Sequence, residues 1–359
     1  MTWTEFRGHN AILEQFRRSV TRGRLASTYL FVGPSGVGKR AFAVKLAQAL
    51  LCEEHAESQL SPCNTCESCQ QVAANSHPDL EIIQKPPDKS FIPVELFIGD
   101  REHRMREGLC HNIALKPFRG RRKIAIIDDA DYLNQEGANC LLKTLEEPPP
   151  RSLLVLVGTS QQRQLPTIRS RCQIVRFAPL AHADVVELLL AQEPAPQRDE
   201  AEAWAALGAG SVAQALVWSD RALCEFRTDL LANLARQDVP AYDLAKMVAA
   251  FVEDAGPEAP ERRARLRSVL GISVEFFRYL SRTLAGLPGA MDDATALAVR
   301  QAAHSWRGDA ETAADCLERC LDAEAHVDAN VQPAAVIECW LDEVASLRRG
   351  KSITPGRGV

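Results

Sequence analysis

Residues 28–51 read TYLFVGPSGVGKRAFAVKLAQALL. The run TYLFV at Thr28–Val32 is short, apolar and made of strand-forming residues; GPSGVGKR follows, and then apolar residues recur at helical spacing. Strand, glycine loop and helix are the setting that a phosphate-binding loop requires. Gly33, Gly36 and Gly38 let backbone N–H groups close around phosphate oxygens, and Lys39 brings a point charge to the terminal phosphates. A helix-capping turn is the plainer reading of the same glycines. After the lysine the motif places Ser or Thr, whose hydroxyl ligates Mg²⁺, but this chain has Arg40. A guanidinium cannot coordinate a metal cation, so the loop leaves ATP binding open and argues against hydrolysis.

A second strand of the same kind follows the basic stretch 119–123. IAIIDDAD from Ile124 is a continuous apolar run, as in a strand buried in a parallel sheet, and it ends in carboxylates. Asp128 takes the place of the magnesium-side carboxylate. Asp129 stands where a Glu that orients the attacking water is usual, one methylene short. A buried strand with a solvated acidic end is the alternative. The stretch 119–123 itself reads as a solvated turn rather than a DNA contact. NQEGANCLLKTLEEPPP from Asn134 forms an amphipathic helix stopped by Pro148, Pro149 and Pro150, and the strand LLVLVGTS follows from Leu153. Thr159, at that strand's carboxyl end, is either a γ-phosphate sensor or a hydrogen-bonded turn former. LPTIRSRCQIVRF then sets Arg169 and Arg171 before a further β-rich run, where surface ion pairing would also account for them. Strands alternating with helices predict an α/β fold with a doubly wound parallel sheet.

Cys52, Cys63, Cys66 and Cys69 crowd into a short span in which an even spread of the 11 cysteines would place about half of one. Four thiolates at C-x10-C-x2-C-x2-C spacing suit tetrahedral zinc, and with no position left for water the site would be structural. The polar segment 53–62 has no apolar period and would hardly fold without such a clip. Cysteines such as Cys140 and Cys316 lie in apolar helical patterns and read as small buried residues. The start MTWTEFRGHN lacks a charged region followed by an apolar run, which predicts a reducing, cytoplasmic setting. No stretch approaches the roughly 18 apolar residues of a membrane span. Of 359 residues 46% are apolar, and the net charge of -5 excludes a globally basic nucleic-acid coat.

The combination of GPSGVGKR, the cysteine cluster, HPDLEII from His77, KIAIIDDADYL from Lys123, LLKTLEEPP from Leu141 and TIRSRCQIVRF from Thr167 resembles the bacterial DNA polymerase III clamp-loader subunits, most of all those of delta-prime type. The similarity is strong over about residues 6 to 180 and weak to about 345. It implies an AAA+ domain at 1–178 carrying a zinc module at 52–69, a helical lid at 179–222, a helical collar at 223–347 and a flexible tail at 348–359. It also implies that Arg171, in the Ser-Arg-Cys triplet, projects into a neighbouring subunit's ATP site, and that Gly210–Ala213 replaces a lid turn whose arginine touches phosphate in motor subunits. Arg40, Asp129 and Ala213 are then three losses on the hydrolysis side. The implied role is a stator without ATP turnover of its own, in a hetero-pentameric ring with gamma/tau-like and delta-like subunits, meeting the sliding clamp and primer-template DNA through the complex. A gamma/tau-type motor subunit is the alternative, and an unrelated AAA+ remodeller with its own grip on DNA is a third reading.

From 180 onward helical periodicity dominates, in ADVVELLLAQ, DLLANLARQ, LAKMVAAFVED and AAVIECWLDEVASL among others. These suffice for one bundle core. DAGPEAPE, from Asp254, reads as a loop inside that bundle.

Overall fold

The computed structural model describes residues 3, 6–104, 106–119, 121–287, 289 and 291–349, and the chain falls into two compact units, 1–216 and 217–359. The expected tail beyond residue 349 lies outside the described residues.

In the first unit five strands, β1 (Thr28–Val32), β2 (Leu80–Ile83), β3 (Lys123–Ile127), β4 (Ser152–Val157) and β5 (Gln173–Arg176), form one sheet in the order β2-β3-β4-β1-β5. Every pairing is parallel. Strands β1 and β4 are buried throughout, as continuous apolar runs require when helices cover both faces. Alternate side chains divide between two cores. Tyr29, Phe31, Ile124, Ile126 and Val155 pack with helices Asn10–Thr21 and Lys39–Leu51; Leu30, Val32, Ala125, Ile127 and Leu156 pack with helix Gln135–Glu146 and two short helices, Glu95–Ile98 and Leu109–Asn112. Helix Gln135–Glu146 begins at Asn134, whose side chain accepts from Gly137 N, and ends just before the prolines.

Strand order fixes where chemistry can occur. β4 lies between β1 and β3, so the loop after β1, Thr159 after β4 and Asp128 after β3 meet along one carboxyl edge. The unit closes with helices His182–Leu190, Arg198–Leu207 and Val212–Val217, which share a small core of their own around Leu180, Val185, Leu189, Ala201 and Ala205.

The second unit is wholly helical among its described residues: Arg221–Leu234, Ala241–Glu253, Ala259–Leu284, Asp293–Ser305, Ala310–Asp328 and Pro333–Arg348. They enclose one core that includes Leu230, Val248, Leu270, Phe276, Phe277, Val327 and Trp340. The loop expected from Asp254 to Glu261 is shorter, because Ala259 and Pro260 already open the third helix, where proline's missing N–H costs nothing. No helix among the described residues is long and apolar enough to cross a membrane. All 11 cysteines are free thiols. Burial of the cysteines outside the cluster is narrower than expected: Cys316 and Cys320 are buried, Cys140 only partly, and Cys339 is exposed.

The basic stretch is not a solvated turn. Arg119 pairs with Glu53 and Glu67, Arg122 forks onto Glu57, and Arg121 donates to the carbonyls of Glu53 and His55. Lys123 reaches the buried carboxylate of Asp79 at 3.1 Å. Asp79 also accepts from the N–H groups of Phe118 (2.7 Å) and Arg119 (3.0 Å). Burial works to raise its pKa, but these three donors outweigh it and the net shift is downward. Replacing Asp79 with Asn should cost about 2 kcal/mol by weakening the charge-assisted bonds that its buried carboxylate accepts from Lys123, Phe118 and Arg119, read as a lower urea midpoint; an unchanged midpoint would show that Asp79 does not brace the turn.

Candidate functional site

The glycine loop is shaped from three sides. Gly33, at φ 151°, donates to the Thr159 carbonyl over 3.1 Å, and a Cβ there would sit 2.3 Å from the Phe177 carbonyl oxygen. Gly36, at φ 74°, lies under the third helix of the small helical group: its carbonyl accepts from Val212 N at 3.2 Å, and a Cβ would come within 2.2 Å of Ser211 Oγ and 2.6 Å of Ala213 Cβ. Only glycine fits either place. Gly38, at φ 95°, is the N-cap of helix Lys39–Leu51. From the far side His9, which is buried, bonds through Nε2 to the Val37 carbonyl at 2.7 Å, and its ring meets Phe177 edge-on at 4.8 Å.

Lys39 is buried and donates to two carbonyls of its own loop, Gly33 O at 2.7 Å and Pro34 O at 2.6 Å. Burial lowers its pKa, opposed by the Asp131 and Asp128 carboxylates. Arg40, at the magnesium-ligand position of the motif, points its Nε at Asp128 Oδ2 across 3.4 Å. Burial, and then the neighbouring Asp129, push the Asp128 pKa up. Asp129 occupies a left-handed backbone position at φ 55°, and burial raises its pKa as well. The donor set here does not fit Mg²⁺: the hydroxyl is missing, and a guanidinium stands against the one well-placed carboxylate.

Thr159 is held from below. Its N–H and its hydroxyl both donate to Asp131 Oδ2, at 2.7 and 2.6 Å, while Gln164 donates to Oδ1. Asp131 thus organises the carboxyl edge, a role that nothing in the acidic run IIDDAD singles out. Two of the expected site residues are brought together by it, since Gly33 is bonded to Thr159 and Thr159 to Asp131.

Arg171 lies away from this edge, between helix Pro166–Arg169 and β5, with its carbonyl accepting from Thr28 Oγ1 at 2.7 Å. Its side chain is partly exposed and pairs with Glu146.

The four cysteines converge, with their sulfur atoms all within 4.8 Å of one another and Cys63 Sγ 3.9 Å from Cys69 Sγ. Zinc–sulfur bonds of about 2.3 Å put tetrahedral sulfurs about 3.8 Å apart, so the set fits that ion. Amide N–H groups point at the sulfurs, Cys63 N to Cys52, Cys66 N to Cys63 and Cys69 N to Cys66, at 3.2 to 3.4 Å. Burial opposes ionisation of Cys63, yet hydrogen bonds from Thr65 and Cys66 outweigh it and bring the thiol down to about 6; burial pushes Cys69 up. The segment expected to depend on metal alone has further supports. Trp3 Nε1 donates to the Leu60 carbonyl at 2.7 Å, and the arginines at 119, 121 and 122 hold residues 53–57. Behind the cluster runs a buried relay in which Asp79 N donates to His77 Nδ1, His77 Nε2–H donates to Ser68 Oγ, and Ser68 donates to Glu53.

Burial lowers the His9 pKa; the Val37 carbonyl and then Asp184 act the other way without reversing it, and the charge of Lys39 adds a smaller push downward. A histidine kept neutral in the fold takes up its proton on unfolding at a higher pH than it does when folded. Its contribution is therefore complete above the unfolded pKa of about 6.5 and is lost as pH falls below it. The urea midpoint should drop between pH 7.5 and 5.5, and His9→Gln should flatten that drop; an undiminished drop in the variant would place the titrating group elsewhere.

The family described as DNA polymerase III, delta subunit matches residues 8–181. The delta-prime subunit of Bacillus subtilis is 33% identical over 185 residues, covering 52% of each chain, and that of Pseudomonas aeruginosa is 32% identical over 229 residues, 63% of this chain and 66% of the relative. The tau subunit of Escherichia coli is 32% identical over 171 residues, 48% of this chain and 24% of tau. The match thus spans about half to two thirds of the length of the delta-prime relatives. A solved gamma subunit-related protein of Thermotoga maritima overlays at TM-score 0.41 and 15% identity, covering 93% of this chain and 100% of that one. Over residues 8–181, then, the chain matches the DNA polymerase III delta-subunit family and is similar to clamp-loader subunits of that polymerase.

Proposed function

We propose that the chain is a delta-prime-type stator: a subunit that consumes no ATP itself and offers Arg171 to the triphosphate of a neighbouring motor subunit in a hetero-pentameric clamp loader. The observation that carries this reading is the contrast between its two arginine sites. At its own loop Arg40 faces Asp128 in place of the motif's hydroxyl, and Ala213 brings no charge to Gly36. At the other, Arg171 stands partly exposed on a backbone anchored to β1, within reach of another protein. A guanidinium supplied in trans stabilises charge on the transferring phosphoryl group and is worth about 10³ to 10⁵ in rate.

In this reading residues 1–178 form an AAA+ domain, 179–222 its lid and 223–347 the collar that packs in the ring, and sliding clamp and primer-template DNA are met through the assembly. Zinc, held by Cys52, Cys63, Cys66 and Cys69, supplies a structural cross-link and no open coordination position. Those thiols, the arginines at 119 and 122 and the His77–Ser68 relay position the module against β2 and β3. The tau relative, as similar in identity as the delta-prime ones, supports the alternative of a motor subunit. Brisk turnover by the purified chain alone would favour that alternative.

Arg171→Ala in the reconstituted loader should cut stimulated turnover at the ATP site that Arg171 serves about 10³-fold, the lower reach of a lost finger. The isolated chain should stay folded, its melting temperature lowered by no more than a few degrees for the loss of the partly exposed Glu146 pair; undiminished turnover would remove the finger role. Purified protein should carry about one zinc per chain by atomic absorption, lost in Cys63→Ser/Cys66→Ser, whereas wild-type protein that is folded and zinc-free would refute the metal reading.

A further inference from the structure

Arg171 does not stand free. A guanidinium has five N–H donors. Here Nε donates to Glu146 Oε1 at 2.9 Å and Nη2 donates to the same oxygen, while Nη1 donates to the Thr167 carbonyl at 2.9 Å and to Ser170 Oγ at 3.1 Å. Four donors therefore already have acceptors in their own chain. Glu146 is the last residue of helix Gln135–Glu146 and is followed by Glu147. The carboxyl end of a helix disfavours negative charge, so a carboxylate there costs stability unless a cation answers it, and Arg171 does so.

We propose that Glu146 is a latch on the arginine finger: it holds Arg171 in the unassembled subunit and gives it up to a neighbour's polyphosphate. The proposal rests on the reading of Arg171 as a finger. While the pair is closed, Glu146 cancels the charge that Arg171 would lend. Both side chains are partly exposed, so the pair is weak and a polyanion displaces it. Hydrogen bonds are exchanged and no covalent bond changes: phosphate oxygens take over at Nε and Nη2, while Thr167 and Ser170 keep Nη1 and with it the orientation of the arm. Glu146 is thus a positioning residue that sets how tightly the neighbour must engage before the finger transfers, and it does not set the rate once transfer is complete.

The test is a titration of this subunit into a loader reconstituted from its other subunits, following DNA- and clamp-stimulated ATP turnover. Glu146→Gln keeps an acceptor without the charge, and Glu146→Ala removes both. Each should lower the half-saturating concentration about threefold, the scale of an exposed ion pair, with maximal turnover unchanged. Added salt should shrink the difference from wild type, because it screens the pair. In an Arg171→Ala background Glu146→Gln should shift nothing. A fall in maximal turnover at unchanged half-saturation would make Glu146 an orienting group and overturn the latch, as would an equal shift with or without Arg171. Half-saturation unmoved in Glu146→Gln, while Arg171→Ala abolishes stimulation, overturns the latch alone; turnover untouched by Arg171→Ala overturns the finger and the latch together.

Discussion

The carboxyl edge of the sheet hangs on Asp131. Its two oxygens take the Thr159 N–H, the Thr159 hydroxyl and the Gln164 amide, and Thr159 in turn accepts from Gly33. One side chain following β3 therefore ties β4 to the loop that follows β1. Parallel strands make this possible, because three carboxyl ends arrive on the same side of the sheet and their loops can bond laterally. Remove the carboxylate and these donors, that of the buried Gln164 among them, lose their acceptor, the costly direction in which to break a hydrogen bond.

Charge is distributed with similar economy. The arginines at 119, 121 and 122, the densest basic stretch of the first unit's sheet, are committed to Glu53, Glu57, Glu67 and backbone carbonyls, and Lys123 to Asp79. They bind the cysteine module to the start of β3. Paired in this way, they contribute little outward field. A basic run on paper is a patch only where no acidic partner folds back onto it, and here the acids lie far earlier in the chain, from Asp79 back to Glu53, beyond the reach of any local pattern.

That distance marks the limit of what the sequence discloses. Strands β1, β3 and β4 were legible because burial on both faces demands an unbroken apolar run, and the helix from Gln135 because Asn134 opens it and three prolines close it. β2 carries no such signal: Leu80–Ile83 is four residues long and sits at the sheet's edge, where only Ile83 is buried. The cysteine cluster was legible from spacing, since C-x2-C is a local geometry. Asp131, His9 and Glu146 were not, because each acts through a partner brought near only by tertiary folding, at Thr159, Val37 and Arg171. Asp131 in particular stood as the third acid of a run whose first two had roles ready for them.

The glycine loop illustrates how a motif can persist for more than one reason. Gly33 is required by the Phe177 carbonyl and Gly36 by Ser211 and Ala213, whether or not a phosphate enters. Lys39 is absorbed by the carbonyls of Gly33 and Pro34, and Val37 by His9. Packing alone therefore accounts for Gly33, Gly36 and Lys39, and their presence by itself says little about catalysis. What discriminates is the position free of such constraints. Arg40 is half exposed, faces the loop's carboxylates through its pair with Asp128 and its charge near Asp129, and is absent from the buried core, where a serine would disturb nothing. A residue that packing leaves free reports on chemistry, and at that residue the side chain is one that repels a metal ion.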